Sequence, residues 1–228
     1  MSNLKKIIGI FCFPKKTFSS INNKPTWLIP FIIISVIGML LNYYTTDIKI
    51  IDDIKRMEAK NIDEKHIELN RQFLDKPTKY IGTVLTPIHL LLQWLFLSII
   101  IVLLGNKFFH KKIEFKKIFS ILVWSNFIII IGNILRTIIG IQKETTHGFT
   151  TSLALFMKTP NLNQEVTKLY IFLSNIDLFI IWQSIILILG ISEIYNVSIY
   201  KSLKFILMLW VIHIILLIIL IWGFSLII

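Results

Sequence analysis

The residues of this sequence best placed to do chemistry are polar and charged side chains that interrupt long apolar runs. Asn126, Asn133 and Arg136 lie in one run, and Ser174, Asp177 and Ser184 in another. Each trio has separations of seven and three residues, which at 100° per residue keeps its members within about 80° of one another on a helix. Such groups are costly in hydrocarbon, so they face other helices or a cavity. Three uses are open to them: hydrogen bonds that hold helices together, an ion pair, or a path for a proton or small solute. Depth favours an intramembrane ion pair of Arg136 with Asp177. Arg136 comes about five residues, roughly 7.5 Å, before the end of its run at Ile141, and Asp177 about six residues, roughly 9 Å, after the start of its own at Ile171. Running in opposite directions, the two reach nearly the same level, where mutual pairing is the least costly way to keep both charges. In the rival arrangement Arg136 snorkels alone to headgroups while Asp177 lines a cavity. His89 and His213, alone in two further runs, read first as hydrogen-bonded histidines between helices, with proton relay as their other use.

Other chemistry lacks its minimum machinery. There is no H-E-x-x-H, no G-x-S-x-G and no G-x-x-x-x-G-K-[ST]. Cys12 is the only cysteine, so an internal disulfide and a multi-cysteine metal site are excluded. The acids Asp52, Asp53, Asp63, Glu64 and Glu68, with His66, alternate with lysines and read as a self-neutralised solvated face rather than a metal site. No catalytic residue, cofactor or metal is expected.

The elements that must position the polar residues are membrane spans. The chain has 228 residues, 55% of them apolar and 16% charged, against about 25% charged in soluble domains. Its mean hydropathy is +0.74. A bilayer core about 30 Å thick takes roughly 20 apolar residues per helix. Five windows qualify, at about 27–44, 81–104, 118–141, 171–191 and 203–228. The expected fold is therefore all-α, a polytopic integral membrane protein with five transmembrane helices in one bundle. Residues 1–26 form a basic arm ahead of it, and residues 45–80 an extracytoplasmic loop with an amphipathic helix or helix pair.

Charge sets the orientation and the partners. Of 24 basic residues only Arg56, Arg71 and Arg136 are arginine, which disfavours base reading, so no nucleic acid is expected. Lys5, Lys6, Lys15 and Lys16 in the arm, and the lysines between 107 and 117, place both segments in the cytoplasm by the positive-inside rule. Five spans then leave the C terminus outside the cell membrane. The four arm lysines, with Phe11, Phe13 and Phe18, make a lipid-facing interfacial helix for a bilayer with anionic headgroups. The short apolar run Ile7 to Phe13 is broken by Pro14, followed by Lys15 and Lys16, and has no small-residue cleavage site, so a retained segment fits better than a signal peptide.

Two stretches resemble a known family. They are Phe13-Pro14-x-x-Thr17-Phe18-x-x-Ile21 with Pro25-x-Trp27-x-x-Pro30, and Leu173-Ser174-Asn175-Ile176-Asp177-Leu178-Phe179-x-x-Trp182 followed by Leu187, Gly190 and Lys201. Both are similar to bacterial Yip-domain proteins, relatives of the Ypt/Rab-interacting membrane proteins, as is the Phe115 to Val123 entry to the third span. The resemblance implies a multi-pass helical protein with a cytoplasmic N terminus that acts in membrane organisation or trafficking, not in catalysis. The leading expectation is a non-enzymatic scaffold that contacts lipid and other membrane proteins or itself. The alternative is a small transporter or channel component using the intramembrane polar residues.

Overall fold

The computed structural model describes residues 1–158 and 166–223. Among the described residues the regular elements are all helical. They are α1 (Asn3–Cys12), α2 (Pro14–Asn23), α3 (Leu28–Ala59), α4 (Glu64–Leu74), α5 (Ile81–Val84), α6 (Thr86–Phe109), α7 (Phe115–Gln142), α8 (Lys168–Ser174), α9 (Leu178–Tyr195) and α10 (Ile199–Gly223). Short 3-10 turns occupy Pro77–Tyr80 and Leu153–Phe156. Five stretches are long and apolar enough to cross a membrane: Leu28–Ala59, Pro77–Phe109, Phe115–Gln142, Leu178–Tyr195 and Ile199–Ile219.

Beyond longer ends on the second and third spans, three of the expected windows are revised. The first helix does not stop at Tyr44 but runs 32 residues, about 48 Å. Thr45 and Thr46 return their hydroxyls to Leu41 and Asn42 carbonyls without breaking it, and the good helix formers Lys55, Arg56, Met57, Glu58 and Ala59 carry it on. Residues 45–59 of the expected loop are thus the C-terminal part of α3. The fourth window is divided, because α8 ends at Ser174 and α9 begins at Leu178. The fifth span starts earlier, at Ile199, and its expected end at Ile228 lies outside the described residues.

Four of the long helices stop in one way. Asn61, His110, Glu144 and Asn196 each take positive φ, between 45° and 52°. In each, the next residue's N–H reaches back to a carbonyl five positions earlier, as from Ile62 to Met57 and from Val197 to Ser192. This closure satisfies orphan carbonyls at a helix C terminus. Asn and His are the more tolerant of the left-handed conformation, whereas Glu144 adopts it against its steric preference.

The chain divides into two compact units, 1–31 with 91–128 and 180–228, and 32–90 with 129–179. In the first, the core holds Trp124, Tyr195, Phe18, Phe205, Ile10 and Ile21, all fully buried. The arm belongs to this core. Phe18 packs where Gly190 leaves room, since a Cβ there would stand 3.3 Å from both Phe18 and Ile121. Trp124 Nε1 donates to the Thr26 carbonyl at 2.6 Å. Tyr195 donates to Asn106, and Lys111 Nζ to the Tyr195 carbonyl at 2.6 Å, joining the turn after α6 to the end of α9. In the second unit, Phe179 lies over Gly132, where a Cβ would come within 2.5 Å of the ring. Asn42 donates to Thr86 at 2.9 Å and Lys79 pairs with Asp47 at 2.8 Å, tying α3 to the start of the second span.

Candidate functional site

Asp177 is built into a hub by the interruption between α8 and α9. Ser174 Oγ and Asn175 Nδ2 both donate to the Ile171 carbonyl at 2.7 Å, which closes the last turn of α8 with side chains. The chain re-enters helix at Leu178, and Asp177 Oδ1 accepts the Phe179 N–H at 2.8 Å, an N-cap that aspartate supplies well. Its other oxygen, Oδ2, accepts from Arg136 Nη1 at 3.2 Å and from the Thr151 hydroxyl. Thr151 is held there by a short antiparallel bridge, Leu153 N–H to the Ile176 carbonyl and Leu178 N–H to the Thr151 carbonyl. Arg136 spends its second nitrogen on Asn133 Oδ1 at 3.1 Å. The carboxylate side chain is 3% exposed and the arginine side chain 36%, so a buried anion meets a cation that still reaches the surface. This arrangement can neutralise charge, start a helix and pin a loop.

A second buried carboxylate lies on α3. Asp52 is 3% exposed, and it accepts from Thr145 Oγ1 at 2.9 Å, Thr146 N–H at 2.6 Å and Thr146 Oγ1 at 2.7 Å. One turn on, Arg56 reaches the His147 ring and pairs with Asp53. The segment after α7 is thus latched to α3 through Asp52, with Arg56 on His147 beside it. The expectation of a solvated, self-neutralised Asp52 is corrected: the helix continues past Tyr44, which turns Asp52 away from its lysine neighbours and under the Thr145-Thr146 turn.

The arm also departs from its expected role at one lysine. Lys5, Lys15 and Lys16 are exposed, but Lys6 is buried, with Nζ donating to Thr26 Oγ1 at 3.1 Å and lying over the Trp124 ring, 5.7 Å from its centroid. Burial, and then the charge of Lys24, hold its ammonium below the ordinary lysine range. Lys6 is therefore a docking residue and not a lipid-facing one. The α1 register puts Lys6 beside Gly9 and Ile10 on the buried face.

A model of the Yip1 domain matches residues 8–221, from the arm to the last helix. The chain belongs to the Yip1 domain family. Comparison with curated proteins and with solved structures gives no match.

The family-like stretches of this Yip1-domain chain coincide with its most constrained geometry. Thr17, Phe18 and Ile21 are all fully buried, and Leu173 to Trp182 is the interruption that carries Asp177. The two polar trios do not form two continuous stripes. Asn126 belongs to the first unit and donates to its own helix at the Leu122 carbonyl, 2.8 Å away, whereas Asn133 and Arg136 join Asp177 in the second. Ser174, Asp177 and Ser184 share no helical face because residues 175–177 are not helical. Ser184 instead donates to the Ile180 carbonyl and accepts from Trp210 Nε1 at 3.1 Å. His89 and His213 are exposed on α6 and α10, contrary to the expected contacts between helices. The spacing of apolar residues set which runs were helices, but nothing in it marked the Thr145-Thr146 turn as a partner for Asp52.

Proposed function

We propose that this Yip1-domain protein is a non-enzymatic scaffold in the cell membrane, with its lysine-rich unit on the anionic headgroups of the inner leaflet and helices that bind other membrane proteins or a second copy. The observation that carries this reading is the segregation of charge. The first unit has twelve lysines against Glu114 and Glu193 alone, whereas the second has twelve basic and eleven acidic residues, so nearly all of the +11 net charge belongs to the first. A lysine-rich, acid-poor composition is the pattern of segments retained on the cytoplasmic side. The transporter reading finds less support, since Asn126 bonds within its own helix and Arg136 and Asp177 bond to each other.

Two measurements test the reading. With the N terminus cytoplasmic and the C terminus outside, cysteines at Ser2 and Asn61 in a Cys12→Ser background should differ in intact cells. An impermeant thiol reagent should modify position 61 and spare position 2, and the reverse result would invert the topology. For the lipid contact, replacing Lys5, Lys15 and Lys16 by Gln in the full chain should weaken phosphatidylglycerol binding in micelle titrations about a hundredfold, at about 1 kcal/mol per lysine. Equal affinity of the parent chain for phosphatidylglycerol and phosphatidylcholine would reject it.

A further inference from the structure

The start of α2 and the last turn of α9 wall a cleft of about 600 Å³, lined by Phe13, Pro14, Lys15, Lys16, Ser19 and Glu193. We propose that this cleft binds the headgroup of an ethanolamine phospholipid, with the phosphate on Lys15 and Lys16 and the ammonium on Glu193. The proposal rests on the reading above that the lysine-rich unit meets a phospholipid leaflet, and it adds a headgroup class that bulk charge does not select.

The volume falls in the range of about 300 to 1,000 Å³ that small-molecule sites occupy. The charges then narrow the occupant. Both signs line one cleft, yet among the described residues Lys15, Lys16 and Glu193 form no ion pair within 4.0 Å with each other or with any other group. Opposite charges that wall a common space without closing on each other are complementary to a ligand that carries both. Glu193 lines the cleft, and its backbone carbonyl accepts from Asn22 Nδ2 at 3.5 Å and from the Asn196 N–H at 3.4 Å. A purely anionic headgroup would gain the two lysines but meet Glu193 as a like charge. A zwitterion uses all three.

The choice between zwitterions follows from donors and aromatics. A primary ammonium offers three N–H donors to a carboxylate, as lysine does. A quaternary choline offers none and is recognised by a cage of aromatic rings, and Phe13 is the one aromatic residue of the lining. Ser19 lies four residues after Lys15, on the same face of α2, where its hydroxyl can donate to a phosphate oxygen. Phe13, 67% exposed at the mouth, and Pro14 give the glycerol and first methylenes an apolar edge.

The test is competitive retention by the full-length protein in mixed-lipid nanodiscs, read by native mass spectrometry with phosphatidylethanolamine, phosphatidylglycerol and phosphatidylcholine in equal amounts. The parent chain should retain phosphatidylethanolamine over phosphatidylcholine. Glu193→Gln should reduce that preference about tenfold, as expected for loss of one charge-assisted contact, while phosphatidylglycerol retention holds or rises; Glu193→Asp should keep most of the preference. Lys15→Gln with Lys16→Gln should lower retention of both lipids. An unchanged preference in Glu193→Gln, or equal retention of choline and ethanolamine lipids by the parent chain, overturns the cleft assignment. If phosphatidylglycerol retention responds to the lysines in that case, the broader lipid reading survives; if it does not, that reading fails separately.

Discussion

Replacing Asp177 by alanine should destabilise the protein by about 3 to 5 kcal/mol, and replacing Arg136 by alanine should cost clearly less, about 1 to 3 kcal/mol. The asymmetry follows from the contacts. Without Asp177 the chain loses the cap on α9, the clamp on Thr151 and the partner of Arg136 at once. Without Arg136 the carboxylate keeps the Phe179 N–H and the Thr151 hydroxyl, so it is not left bare. Arg136 is also about one-third exposed, and its charge can turn to water or headgroups when its partner is removed. The double variant should cost less than the sum of the two, because the pair term is counted in both single changes. Denaturant unfolding of the four chains in one detergent measures this. Strict additivity would remove the ion pair from the account and leave Asp177 as a cap alone.

That prediction also shows how far sequence reaches in this molecule. Arg136 and Asp177 could be matched because each sits a countable number of residues from the end of an apolar run, and helical rise converts that count to depth. The same arithmetic failed for Ser174 and Ser184. Facial spacing assumes an unbroken helix, and the side-chain bonds of Ser174 and Asn175 to the Ile171 carbonyl end α8 inside the apolar run. Hydropathy does not see such a stop, since Leu173, Ile176 and Leu178 are as apolar as the helix around them. The buried face of the arm was hidden for a related reason. Lys6 is a cation at an interfacial position and reads as lipid-facing, whereas Trp124, over which it lies, comes from a distant part of the chain, and Thr26, which accepts from it, from the far end of the arm. The left-handed stop at Glu144 carried no signal either, because glutamate does not favour that conformation.

The Asp52 latch should respond to substitution almost as strongly as the Asp177 hub. Asp52→Ala removes three hydrogen bonds to one buried carboxylate and strands the Thr146 N–H, for an expected loss of about 3 kcal/mol. Asp52→Asn keeps the volume and an acceptor oxygen, so its loss should be intermediate. The latch and the hub hold one segment at two points, Thr145-Thr146 on α3 and Thr151 on Asp177. A loop pinned twice stays near its place when either pin is drawn, because the remaining one limits its excursion. A thiol at Phe149, between the pins, should therefore react only a few times faster in Asp52→Ala or Thr151→Ala in a Cys12→Ser background, and far faster when both are changed. Multiplicative rates in the double variant would mean two independent contacts, and a double variant that reacts no faster than the parent would mean that neither contact holds the segment. Because Asp52 and Asp177 grip the loop from two different helices, the expected supra-multiplicative rate is the signature of a segment whose function is to tie α3 to the start of α9.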